Sequence, residues 1–183
     1  MINLAAQLIE AVVTEMFYYM KVVLLAVFFI ISLFFSVFAQ SADPKPGSPI
    51  PSFKIQKTNG GYFTNSDVKK NSPLVLIYFA PDCDHCIKLI DQLFKKIHQF
   101  DKASVVMVTF KAPNDVAWFE RKYKTAQFRN ITVGTEGTSY ILRNYYRLDK
   151  TPFVAVYDKK GKLAFSYKND PPADEILARF KKV

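Results

Sequence analysis

The spacing of apolar positions changes several times along the chain, and each change marks an element. Val22 to Ala39 is a run of 18 residues without charge, broken only by Ser32 and Ser36. Residues 40–52 contain four prolines among small polar residues, which is the composition of a linker. Phe53 to Gln56 and Tyr62 to Phe63 flank Asn59-Gly60-Gly61 and predict a hairpin. Leu74 to Phe79 is continuously apolar, as in a central strand covered on both faces. From Cys86 to Gln99 the period becomes helical. Ile87, Ile90, Leu93, Phe94 and Ile97 fall on one face, and Lys88, Asp91, Lys95 and Gln99 on the other. Val105 to Phe110 predicts a second buried strand. Pro113 to Tyr123 predicts a helix, with Asp115 near its start and Arg121 and Lys122 at its end. Ile131 to Val133 reads as a short strand and Thr138 to Tyr146 as a helix. Phe153 to Tyr157 and Leu163 to Tyr167 are strands joined by the turn Asp158-Lys159-Lys160-Gly161-Lys162, and Pro172 to Lys182 closes the chain as a helix. Strands alternating with helices and ending in a hairpin predict an α/β domain, a mixed central sheet with helices on both faces.

The 183 residues are 50% hydrophobic and 22% charged, which excludes a disordered or collagen-like chain. The average conceals the leader. Lys21, the apolar run and the small residues of Val37-Phe38-Ala39 form the pattern of a secretory signal peptide at about 20–39. An uncleaved membrane anchor is the rival, since about 18 apolar residues can just span a bilayer. Residues 1–19 carry Glu10 and Glu15 and no basic residue, so they fit a signal start poorly and read as an extension before Met16 or Met20. The organisation is therefore a leader over 1–39, a linker over 40–52 and one domain over 53–183. The expected location is outside the cytoplasm, and periplasmic in a Gram-negative cell.

Charge adds little. Removing Lys21, Glu10 and Glu15 with the leader takes the net charge from +9 to +10. The lysines are scattered, with no arginine-rich run, so no nucleic acid partner is expected. A membrane is expected only through the leader.

The chemistry lies in the two cysteines, Cys83 and Cys86, within Pro81-Asp82-Cys83-Asp84-His85-Cys86 between a strand and a helix. At a helix amino end the free N–H groups and the dipole favour a Cys83 thiolate, and Cys86, one turn in, can reach the same sulfur. His85 adds positive charge when protonated, while Asp82 and Asp84 oppose the thiolate. The spacing suits disulfide exchange, with Cys83 attacking and Cys86 resolving. A structural disulfide would close too short a loop to constrain the unfolded chain. Zinc needs about four ligands, and only His85 and His98 remain. Two thiolates suffice for copper(I), so a copper-binding or redox-inactive module is the alternative. No metal and no cofactor beyond the cysteine pair is expected. Trp118, Tyr140, Tyr145 and Tyr146 could mark a partner groove, although ordinary packing explains them more simply.

Two segments, Leu76 to Cys86 and Tyr146 to Gly161, resemble the thioredoxin superfamily, most closely the exported TlpA/ResA-like thiol-disulfide oxidoreductases. The resemblance spans roughly Ile50 to Val183. It implies a thioredoxin fold, Cys83 and Cys86 as catalytic residues, a cis Pro152, and Thr151 as the residue that pairs with substrate. Protein thiols and disulfides and a redox partner protein are the implied partners. Departures are also visible. Asp82 replaces the usual Trp before the first Cys, the strand leading to the motif lacks the buried Asp, and the segment after it lacks the acidic residue. Proton transfer at Cys86 is then left to water, Asp82, Asp84 or His85. A peroxiredoxin site needs Pro and a Thr or Ser upstream of its cysteine. Here Ala80 stands three residues and Leu76 seven residues before Cys83, which argues against that site.

Overall fold

The computed structural model describes residues 2–35, 43–170 and 172–183, with side chains described for 12–29, 43–170 and 172–183. The chain divides into two compact units, 1–42 and 43–183. The first contains helix α1 (Ile2–Phe35). No Gly or Pro interrupts that segment, so the helix runs through the residues before the apolar run and into it as far as Phe35. Its stretch Val12–Phe29 is long and apolar enough to cross a membrane by length and composition. The expected cleavage segment, Val37-Phe38-Ala39, lies outside the described residues.

The second unit is built on a seven-stranded sheet of β1 (Lys54–Gln56), β2 (Tyr62–Thr64), β3 (Leu74–Tyr78), β4 (Ser104–Thr109), β5 (Ile131–Thr135), β6 (Phe153–Tyr157) and β7 (Leu163–Lys168). Its order is β2-β1-β5-β4-β3-β6-β7. Strands β3, β4 and β5 are parallel, and the others join antiparallel. The helices of this unit are α2 (Asp84–Phe94), α3 (Pro113–Tyr123), α4 (Ile141–Tyr145) and α5 (Ala173–Phe180).

Strand periodicity divides the core in two. Val75, Ile77, Val105, Met107, Val154 and Val156 pack with residues of α2, α3 and α5 on one face. Leu74, Leu76, Tyr78, Val106, Val108, Phe153 and Tyr157 pack with Leu142 and Tyr146 on the other. Successive side chains of a strand point to opposite faces, so a sheet covered on both sides needs the unbroken apolar runs seen in β3 and β6. The mixed sheet and two-sided helix cover match the architecture read from the sequence.

Three local readings are corrected. The helix expected through Gln99 ends at Phe94, and a 3-10 turn, Ile97–Phe100, follows. In that turn, residues three apart eclipse, so both Ile97 and Phe100 reach the core. The helix expected over 138–146 is split. A 3-10 turn (Gly137–Ser139) leads to Tyr140 at φ +47°, and α4 begins afresh. The Glu136 carboxylate causes the restart by accepting the Leu142 N–H at 2.8 Å and the Arg143 N–H at 3.3 Å. The proline-rich segment is not free over its second half. The Gly47 N–H donates to the Leu163 carbonyl at 2.8 Å, the Leu163 N–H to the Ser48 carbonyl at 2.7 Å, and Pro49 bridges Lys162. This contact covers part of the exposed edge of β7.

Gly134 in β5 permits the β1–β5 junction. A Cβ there would lie 2.8 Å from the Gln56 carbonyl oxygen and 2.9 Å from Ile55 Cδ1. Gly134→Val is therefore expected to destabilise the domain by about 2–3 kcal/mol through overpacking against backbone. Urea denaturation checks this, and an unchanged midpoint would refute the close-approach argument.

Candidate active site

Strand β3 ends at Tyr78, and the chain passes through Phe79, Ala80 and Pro81 before α2 begins at Asp84. Cys83 is the N-cap residue of α2, with extended φ and ψ. The Ile87 N–H donates to its carbonyl at 3.0 Å, closing the first turn. The thiol is partly exposed at the sheet's carboxyl end. Cys86, one turn later, is fully buried against Ile90 and Phe79 in the larger core cluster. The Ala80 N–H points at the Cys86 sulfur from 3.5 Å.

The second segment singled out in the sequence lies beside the first. The Cys83 thiol donates to the Thr151 carbonyl at 3.7 Å. The Thr151–Pro152 peptide bond is cis, as the resemblance implied. Strand β6 starts immediately afterwards and pairs Phe153 with Tyr78, so the β3–β6 ladder holds the loop against the motif.

The two thiols differ strongly. Burial raises the Cys83 thiol, but hydrogen bonds with Cys86, the Thr151 side chain and the His85 backbone favour the thiolate and hold it below its ordinary value. Burial pushes the Cys86 thiol up to about 12. The exposed sulfur is the one that ionises, and the covered one is the one that keeps its proton.

The charged residues of the motif face outward. Lys111, just past β4, donates to the Asp82 carboxylate at 2.6 Å and holds that carboxyl below the usual range. His85 Nδ1 lies 2.6 Å from Asp170 Oδ1, with both side chains about two-thirds exposed. Asp84 is exposed in the first turn of α2. The structure thus brings Cys83, Cys86, Thr151 and Pro152 together, with Asp82, Asp84 and His85 around the rim. Asp82 is paired with Lys111, and His85 is within hydrogen-bond distance of Asp170.

Three residues escaped the sequence reading. Lys111 and Asp170 arrive from loops 28 and 87 positions after Cys83 in the sequence, and no local pattern announces them. Asn169 and Asp170 both take left-handed backbone, which these residue types tolerate. That turn is what carries Asp170 to His85. The third residue is Glu136, a buried carboxylate that accepts from the Tyr78 hydroxyl at 2.7 Å. The lone hydroxyl in the apolar run of β3 was its signal. It packs on the face opposite Cys86, so it anchors α4 and the Tyr78 side chain without touching the thiols. Among the described residues no group of three or more His, Cys, Asp or Glu side chains could hold a metal ion.

The chain is 28% identical over 89 residues to methylamine utilization protein MauD of Paracoccus versutus, a match covering 49% of this chain and 42% of that protein. It spans about half the length of the curated relatives it matches. A peroxiredoxin-like protein from Aquifex aeolicus superposes with a TM-score of 0.65 at 17% identity, over 78% of this chain and 89% of that one. A thiol:disulfide interchange protein DsbE from Chlorobium tepidum superposes with a TM-score of 0.60 at 20% identity, over 76% and 98%. These likenesses establish the thioredoxin-like fold. The model of the AhpC/TSA family matches residues 46–179, a span that contains both cysteines and the cis-proline loop, and the chain belongs to that family.

Proposed function

We propose that this protein is an exported thiol-disulfide oxidoreductase acting on protein thiols through Cys83 and Cys86. The observation that carries the proposal is the asymmetry of the pair: a partly exposed thiol favoured as thiolate at a helix amino end, backed by a buried thiol one turn away. In the reducing direction, the Cys83 thiolate attacks one sulfur of a partner's disulfide. A Cys83–partner disulfide forms, the partner's S–S bond breaks, and its other sulfur leaves as a thiolate that takes a proton from water. Cys86 then gives its proton to the hydroxide left in water and attacks Cys83 Sγ. The internal disulfide forms and the second partner sulfur leaves. Two electrons pass from the cysteine pair to the partner, and a redox partner protein restores the dithiol. The same steps reversed oxidise a dithiol. Thr151 presents its backbone to the bound segment beside Cys83. The leader supports export, with α1 acting as signal or anchor, and disulfide chemistry suits a compartment outside the cytoplasm.

A thiol-peroxidase reading draws on the Aquifex aeolicus neighbour. The positions that would carry Pro and Thr or Ser in a peroxide site are Leu76 and Ala80 here. Copper(I) binding at the two sulfurs remains the alternative from another class, and metal analysis of reduced protein tests it.

Cys83→Ser is expected to lower insulin-disulfide reduction to background, whereas Cys86→Ser accumulates a mixed disulfide detectable by mass. Full turnover by Cys83→Ser would sink the assignment. Hydrogen peroxide consumption faster than disulfide exchange would move the chain to the peroxidase reading.

The thiol asymmetry also sets a pH dependence. A group alkylates as its thiolate, so its rate climbs with pH until the pH passes its pKa. Cys83, held low, is expected to reach its half-maximal rate at a lower pH than an ordinary thiol, while Cys86 keeps rising toward about 12. At neutral pH iodoacetamide should label Cys83 more than about 100-fold faster than Cys86. Equal rates, followed by mass spectrometry, would contradict the asymmetry.

A further inference from the structure

The exposed aromatic beside the motif is unaccounted for by packing. Trp118, the single tryptophan of the chain, is 44% exposed on α3. It lines a cavity of about 500 Å³ together with Pro81, Asp82, Lys111 and Asp115. Pro81 and Asp82 are the two residues immediately before Cys83, so the cavity opens next to the nucleophile. The Thr151 carbonyl lies 3.7 Å from the Cys83 sulfur. The tyrosines grouped with Trp118 in the sequence lie elsewhere. Tyr146 is buried and Tyr140 and Tyr145 are half-buried, packing around α4 and Phe110.

Charge decides what the cavity suits. Lys111 and Asp82 close on each other at 2.6 Å, so neither is left to pair with an incoming charge. Asp115 is exposed, and its negative charge favours the ammonium of Lys111. Lys122 lies over one face of the indole, 5.2 Å from the ring, so a second cation there meets repulsion. What remains is the apolar surface of the half-exposed Trp118 indole, which faces the cavity beside the buried Pro81. Removing that surface from water requires an apolar side chain.

We propose that this cavity is a specificity pocket: the pocket takes an apolar side chain, aliphatic or aromatic, that flanks the reacting cysteine of a polypeptide substrate. The inference rests on the thiol-disulfide reading above and names the substrate feature that it leaves open. The substrate lies in extended form past Thr151 with its disulfide at Cys83 Sγ, and the neighbouring side chain enters between Pro81 and Trp118. Trp118 is then a specificity residue and takes no part in bond exchange. Asp82, standing where the resembling family carries Trp, is turned toward Lys111 and leaves the entrance open. An aromatic face is supplied from α3 instead.

The test uses the purified full chain and synthetic peptide disulfides that differ only in the residue beside the cysteine, Leu, Gly, Asp or Lys, with bis(2-hydroxyethyl) disulfide as a substrate that has no flanking residue. The expected result is a kcat/KM roughly tenfold higher for the Leu peptide than for the Gly peptide, the size of effect one apolar contact produces. Trp118→Ala should reduce that ratio to about one, and Trp118→Phe should keep most of it. A second readout uses Cys86→Ser, which holds the Cys83–peptide disulfide. Trapping the Leu peptide should shift Trp118 emission to the blue relative to the Gly peptide, because the indole loses water. Equal rates for all flanks, a preference for Lys or Asp, or a Leu preference that survives Trp118→Ala would each overturn the pocket. Failure to reduce bis(2-hydroxyethyl) disulfide as well would instead overturn the thiol-disulfide reading on which the pocket rests.

Discussion

Strand β3 has no face left for water, and the site follows from that constraint. Its five residues are at most 3% exposed, with Val75 and Ile77 packed on one side and Leu74, Leu76 and Tyr78 on the other. Burying each such side chain is worth about 1.5–3 kcal/mol. A strand of this kind must sit in the middle of the sheet, here between β4 and β6. Its parallel neighbour β4 and antiparallel neighbour β6 are in register over its full length. The chain leaving β3 therefore emerges at a fixed point beside the start of β6. Helix α2 must then begin within a few residues to cover Val75 and Ile77. Cys83 at the helix start and Thr151 at the strand start are neighbours because the two ladders leave no other arrangement.

The same packing separates the chemistry of the two cysteines. One turn of helix carries Cys86 from the rim into the core formed by Phe79, Ile90 and Phe119. The Cys83 sulfur is partly exposed and lies at the positive end of a helix, whereas the Cys86 sulfur is buried. Formal charges nearby contribute less than their number suggests. Asp82, which would oppose a thiolate, is neutralised by Lys111. His85, which would favour one, is drawn toward Asp170. What is left to act on Cys83 is short-range: the free N–H groups of α2, the Thr151 residue and Cys86 itself.

The sequence made legible whatever is decided by periodicity or adjacency. Unbroken apolar runs named the central strands, and the two-residue spacing of the cysteines placed both on the first turn of a helix. The helix breaks were hidden because side chains far along the chain cause them. Nothing between Thr138 and Tyr146 tells that Glu136 will cap Leu142 and Arg143, or that the Tyr78 hydroxyl will hold Glu136 in place. Lys111 and Asp170 were hidden for the same reason. Each is an ordinary polar residue in a loop, and only the crossing of β4 over to α3, or the left-handed turn at Asn169-Asp170, brings it to the motif. The resemblance to thioredoxin-like proteins supplied the cis bond at Pro152, which no physical pattern in the sequence could have supplied.

The surface is divided in a way that bears on how such a site finds its partner. The large exposed apolar residues of the second unit are Tyr62, Trp118 and Ile141. Trp118 lines the cavity beside Asp82, and Tyr62 and Ile141 line another that shares Lys111 with it. At the far end of β3 and β6 a third cavity is lined by Lys69, Lys70, Lys159 and Lys160, with no large exposed apolar residue. The sheet runs between these ends, so its direction separates an apolar rim from a lysine-rich one. Isolated exposed apolar residues need no explanation, but here two cavities that share Lys111 hold all three of those described in the second unit. Charge on the other end keeps that pole solvated and unattractive to apolar segments.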